Sequence, residues 1–159
     1  MAYVSVFLLM LSNSSCSNSN FDIIIVGGGT SGIASAIQSS RLGSKTLLIE
    51  ESNWLGGMMT SAGVSAMDGN YKMPSGFLKE FRDSLVSHYG HLDSLKTGWV
   101  SNLMFEPSIG NRILKDIAGS EKNLTILYGT TIDKVVKDKK FTLKTKENSV
   151  TYKSKILID

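Results

Sequence analysis

Six residues near the start of the chain, Gly27-Gly28-Gly29-Thr30-Ser31-Gly32, have the types and spacing to hold a diphosphate. They spell Gly-x-Gly-x-x-Gly. Gly27 permits a tight turn, Gly29 lets backbone approach a pyrophosphate, and Gly32 lets a following helix pack close to the strand before it. The N–H groups and hydroxyls of Thr30 and Ser31 are candidates for phosphate bonds. An acid about 20 residues further on completes such a site by accepting both ribose hydroxyls, and Glu50 stands there. Its neighbour Glu51 reads equally well as a second ligand or as a solvated side chain.

These groups work only if regular elements hold them. The run Ile23-Ile24-Ile25-Val26 predicts a buried strand, and Ile33, Ala36, Ile37 and Ser40 recur at helical spacing up to a stop at Gly43. Lys45 to Glu50 predicts a second strand. The glycines thus fall at a strand-to-helix turn, where the helix start offers unpaired N–H groups and partial positive charge. Glu51 to Gly76 has no period and reads as an ordered loop over the ligand. Phe77, Phe81, Leu85 and Tyr89 mark a helix ending at Gly90. Ile109, Ile113 and Ile117 mark another, with Pro107 near its start and Gly119 past its end. Leu124 to Tyr128 predicts a third core strand. Period-two alternation then gives short strands at 132–136, 141–146 and 149–153, a three-stranded β-meander, before a last core strand at 155–159. The fold class is α/β: a Rossmann-like domain with a parallel sheet and a three-stranded β-meander.

Composition narrows the choices. A chain of 159 residues that is 42% hydrophobic suits one domain with a real core. A net charge of +3 is too slight and dispersed to indicate nucleic acid. Lys137-Asp138-Lys139-Lys140 reads as a solvated turn. His88 and His91 have no cysteine or paired acid at ligand spacing, so no metal is expected. Ser31 lacks the Gly-x-Ser-x-Gly elbow of a hydrolase nucleophile.

The first twenty residues differ from the rest. Val4 to Leu11 is nearly all apolar, and a Ser/Asn run from Ser12 to Asn20 surrounds the lone Cys16. The apolar run is too short to span a bilayer but fits the core of a signal peptide. Residues 1–20 therefore read as a leader and linker of lipoprotein type, with attachment to a membrane through a lipidated Cys16 and an exported, periplasmic or membrane-anchored location. The alternative is a cytoplasmic protein with a tail carrying an inert thiol.

The loop after Glu50 points to the ligand. In Trp54-Leu55-Gly56-Gly57-Met58-Met59-Thr60-Ser61-Ala62-Gly63, the paired Gly56 and Gly57 let backbone lie against a second part of a long cofactor. With this segment the chain resembles the FAD-dependent oxidoreductases of the glutathione-reductase-like superfamily. More narrowly, it is similar to a bacterial group carrying an acid and then Trp-Leu-Gly-Gly-Met-x-Thr-Ser-x-Gly. Phe105-Glu106-Pro107 before a helix, and Ile158-Asp159 as the opening of Ile-Asp-Ala-Thr-x-x-Gly-Asp, match the same group. The resemblance covers 21–159 and implies FAD as cofactor, with Thr60 as a polar contact and the adenine near Ile132. It implies hydride transfer between a small organic substrate and the flavin, whose ring carries the chemistry. No catalytic side chain is identified. The rest of the Ala-Thr-x-x-Gly-Asp motif and a substrate domain do not follow. The expectation is therefore an N-terminal fragment whose FAD domain is incomplete at its C-terminus and inactive alone. Two other readings stay open: an NAD-binding Rossmann domain, and a non-catalytic truncated lipoprotein.

Overall fold

A computed structural model describes residues 18–67, 69, 71–96, 101–147 and 150–159. The apolar run at 4–11 and Cys16 lie outside these residues.

Two strands rich in β-branched and leucine side chains form the centre. β2 (Ile23–Val26) pairs in parallel with β3 (Thr46–Ile49), in the register Ile23–Thr46 to Val26–Ile49. Crossing from one to the other is α1 (Thr30–Arg41), which leaves β2 through the glycine turn. β4 (Leu124–Leu127) adds beyond β3 and β8 (Ile156–Ile158) beyond β2, giving a parallel sheet in the order β4-β3-β2-β8. A parallel sheet is covered on both faces, so its strands read as continuous apolar runs, and here they do.

One face meets helices. Ile25 and Leu48 point into a cluster with Ile33 and Ile37 of α1, Phe81 and Leu85 of α2 (Gly76–Tyr89), and Ile113, Leu114 and Ile117 of α3 (Pro107–Gly119). Pleating turns the alternate residues Ile24, Leu47 and Ile49 to the other face, where they pack on Leu143 and Tyr152. Those two belong to the second sheet, formed by β5 (Ile132–Lys137), β6 (Phe141–Thr145) and β7 (Thr151–Ser154) as an antiparallel meander. The result is three layers: helices, parallel sheet, meander.

The meander has a strand that the sequence reading missed. Asn18–Asn20, read as linker, form β1 and pair in parallel with β7, making the order β1-β7-β6-β5. Phe21 continues the ladder by donating to the Lys153 carbonyl at 2.8 Å. An edge strand of three polar residues is held by main-chain bonds, which leave no mark in the side-chain pattern. Smaller differences are that Gly76 and Gly119 lie within their helices and β5 runs one residue further, to Lys137, past an irregularity after Ile132.

Candidate cofactor site

Gly27 leaves β2 with a φ of +92°, a conformation glycine adopts without strain. The chain then enters α1 at Gly29, whose cap carries no side-chain hydrogen bond. An uncapped helix start keeps N–H groups and the positive end of the helix dipole available to an anion. Gly29 has open space where a side chain would stand, with nothing within 4 Å. Gly32 is the opposite case: a Cβ there would overlap the Gly27 carbonyl oxygen. Gly29 thus leaves open space at the turn, and Gly32 lets the start of α1 lie against Gly27.

Glu50 directly follows β3, next to this turn, and is 9% exposed. Its carboxylate is fixed on both oxygens. The Gly28 N–H donates to Oε2 at 2.6 Å, while the N–H and hydroxyl of Ser52 donate to Oε1 at 2.8 and 2.6 Å. Charge-assisted bonds of this length hold an acid in one orientation. Burial, and the Glu50 charge beside it, push the Tyr128 phenol above its ordinary value.

Two clefts meet at Gly27. The first, of about 360 Å³, is lined by Gly27, Glu50, Glu51, Thr131, Ile132 and Lys146 among others. The second, of about 390 Å³, runs along Gly29, Ser31, Gly32 and Ser35 to Ile158 and Asp159. Of the residues singled out from sequence, Gly27, Gly29, Ser31, Gly32, Glu50, Glu51 and Ile132 thus line one cleft or the other. Thr30 starts α1, but its hydroxyl donates to the Gly56 carbonyl at 3.1 Å.

Gly56 and Gly57 lie against the turn. The Gly56 N–H donates to the Gly28 carbonyl at 2.8 Å, and a Cβ on Gly57 would stand 3.1 Å from the Gly29 Cα. The pair brings the loop backbone to the glycine turn. Thr60 is not brought into either cleft. It is 1% exposed, and its hydroxyl donates to the Leu55 carbonyl at 2.5 Å, closing the loop on itself.

The loop and the Phe105-Glu106-Pro107 element meet in space. Asn111 of α3 accepts from the Leu55 N–H at 2.9 Å. Gly110 sits so close to Phe105 that a Cβ would lie 2.5 Å from its ring and 3.3 Å from the Thr60 methyl. Phe105 packs edge-on against Phe81 of α2, with ring centroids 5.3 Å apart. Ser52, Asn111, Thr131 and Lys146 are the residues around the candidate site that sequence spacing did not reveal. Ser52, two residues past the acid, is the one with a local signal, since a hydroxyl at that offset often bonds a carboxylate or turn. Among the described residues, no group of three His, Cys, Asp or Glu side chains gathers where it could hold a metal.

A model of the FAD dependent oxidoreductase family matches residues 22–159. The chain belongs to that family. The leghemoglobin reductase of Vigna unguiculata is 28% identical over 125 residues, which is 78% of this chain and 24% of that protein. The chain thus spans about a quarter of the length of the curated relative it matches. Cyclohexanone monooxygenase from Rhodococcus sp. Phi1, solved bound to NADP+, superposes with a TM-score of 0.58 at 15% identity, covering 89% of this chain and 25% of that one. Thioredoxin reductase of T. acidophilum gives 0.54 at 19% identity, covering 87% and 34%. At such identities these two structures show the fold alone. FAD is the cofactor of the family, and the residues here fit it: an open Gly29, an uncapped helix start and an oriented acid stand side by side.

Proposed function

We propose that this domain, residues 18–159, holds the adenosine diphosphate part of FAD across the Gly27 turn, in a protein that transfers hydride between a small organic substrate and the flavin. The observation that carries this reading is the bond from the Gly28 N–H to Glu50, at 2.6 Å. It ties the diphosphate turn and the ribose acid into one rigid unit. In this reading the main-chain N–H groups at 29–32 and the Ser31 hydroxyl bind the diphosphate, with Thr30 holding Gly56 in place. Glu50 accepts the ribose hydroxyls on the lone pairs its three donors leave free. The adenine enters the first cleft between Glu51, Thr131, Ile132 and Lys146. Gly56 and Gly57 bring backbone to the same ligand. FAD, when bound, supplies hydride acceptance at its ring, and the protein binds, orients and shields it.

Titration of the full chain with FAD, followed by flavin fluorescence, tests the site. Saturable binding that ADP displaces is expected. Binding of NAD in preference to FAD, or none of either, would overturn it.

We propose further that the segment before Cys16 directs export and that Cys16 carries lipid. The apolar run at 4–11, the small residues before Cys16 and the Ser/Asn run after it support this. In the native host, the processed protein should partition with detergent, and Cys16→Ser should block processing. An intact mass that retains unmodified Met1 would rule the route out.

A further inference from the structure

The outer face of the meander is a lysine surface beside the point where the N-terminal segment enters the fold. Leu143 and Tyr152 point inward to the parallel sheet, so their neighbours along each strand point out. Register sets Lys134 of β5 opposite Lys144 of β6, and Thr142 of β6 opposite Lys153 of β7. Three lysines from three adjacent strands share this face, and Val136, 47% exposed, lies among them. Residues 132–155 hold eight lysines against three carboxylates, a local charge of +5 in a chain of net charge +3. Among the described residues, no carboxylate forms an ion pair with Lys134, Lys144 or Lys153.

Like charges directly opposite across a strand pair destabilise a sheet. The Lys134–Lys144 pair therefore costs stability that an anionic partner would return. The chain itself indicates which partner. β1, the edge strand of this same sheet, begins at Asn18. Cys16 is two residues away, a reach of at most about 7 Å, and Leu11 is seven residues away, at most about 25 Å. The first twenty residues carry no charge and include the apolar run at 4–11. Lipid on Cys16 would hold the edge of this sheet within about one screening length, roughly 10 Å, of the headgroups.

We infer that the outer face of the meander docks on an anionic bilayer, with Lys134, Lys144 and Lys153 meeting lipid phosphates and Val136 entering the interface. This makes the second of the two signals that stable anchoring requires. The inference rests on the N-terminal reading only for the tether; the lysine face is tested without acylation.

The test is flotation of the unacylated chain from residue 16 onward, carrying Cys16→Ser, with vesicles of about 30% phosphatidylglycerol in phosphatidylcholine, or of phosphatidylcholine alone, at roughly 50 and 500 mM salt. Binding should need the anionic lipid and fall with salt. A lysine near such a surface contributes about fivefold, so K134Q/K144Q/K153Q should lose roughly a hundredfold. Removing Lys72, Lys115 and Lys122, which lie on α3 and the loops, should cost less than about fivefold. The single variants K144Q and K153Q, each read for a loss of about fivefold, decide the matter should the triple variant lose its fold. Equal binding to both vesicles, or a triple variant that floats like the parent, would overturn the docking face. So would preferential capture of a single-stranded oligonucleotide over the anionic vesicles. Processing at Cys16 can fail while the lysine face passes, so the two readings fail separately.

Discussion

Thr46–Ile49 of β3 are buried at every position, whereas Asp133–Lys137 of β5 are exposed at every position. Both strands belong to four-stranded sheets, and both sheets contribute to one shared apolar layer. The parallel sheet is held by burial on two faces. Its end carries backbone packed tightly enough that a single added carbon atom does not fit. The meander is held on one face only, and its other face is free to carry charge. The proposed cofactor site therefore lies where steric tolerance is least, and the charged face where it is greatest.

The sharpest way to break this contrast is Gly32→Val. Its Cβ, fixed in place by the backbone, would overlap the main-chain Gly27 carbonyl oxygen, so neither side can yield. We expect loss of FAD binding and of most soluble protein. On the outer face of the meander, Thr142→Val is expected to change stability by less than about 0.5 kcal/mol. A Gly32→Val protein that binds FAD normally would mean that the turn has more room than its geometry allows.

Next in size is the core comparison. Leu48 is fully buried between α1 and the sheet, and Leu48→Ala should cost about 2–5 kcal/mol in urea unfolding. Val136→Ala, at an exposed position, should cost less than about 0.5 kcal/mol. Similar losses at both positions would mean that the outer face of the meander is covered in the folded protein.

The legibility of the sequence follows the same division. Ile23–Val26, the glycine spacing and Glu50 were readable because strand, turn and acid are neighbours in sequence, each with a signature of its own. The helices followed from Phe81, Leu85, Ile113 and Ile117 at helical spacing. What could not be read was long-range. Asn111 and Leu55 are bonded across 56 residues, and nothing in either neighbourhood announces the other. β1 pairs through main chain alone. Thr60, expected as a polar contact, is instead spent on the Leu55 carbonyl, because a loop of this length must satisfy its own buried carbonyls.

Glu50→Gln sharpens the comparison at the point where the two sheets flank the site. The amide keeps the shape but loses the charge, and its NH2 must face either the Gly28 N–H or the Ser52 donors. Hydrogen bonds to a charged group contribute about 1.5–3 kcal/mol each, so loss of one should lower FAD affinity by roughly ten- to 150-fold. Lys146→Gln, across the same cleft on an exposed residue of the meander side, should weaken binding by about fivefold at most. A larger effect at Lys146 than at Glu50, by fluorescence titration, would move the dominant contact from the parallel sheet to the meander.

The smallest expected effect lies among the surface charges, where the two regions should differ in sign. On the helix side, Arg41 of α1 donates to both carboxylate oxygens of Glu80 at 2.8 Å and to Glu121 at 2.7 Å, joining α1 to α2 and to the end of α3. The Arg41 hydrogen bonds hold the Glu80 carboxyl below its ordinary value near 4.5. A carboxyl with a lowered native value contributes stability that is fully present above the unfolded value and is lost as pH falls through the native one. The side chains of both partners are about a third exposed, at 35% and 36%, so screening limits the pair to roughly 0.5–1 kcal/mol. Glu80→Gln should therefore destabilise by that amount at pH 7, and the gap from the parent should close as pH drops below about 4.5. On the meander, Lys144→Glu turns a like-charged pair with Lys134 into an opposite-charged one and should stabilise by about 0.2–1 kcal/mol. Urea unfolding of both variants at pH 7 and pH 3.5 (roughly one unit below the ordinary Glu value) checks the signs together. Two shifts of the same sign at pH 7 would mean that the lysines of the outer face are already neutralised, and that the charge contrast between the two sheets does not exist in the folded chain.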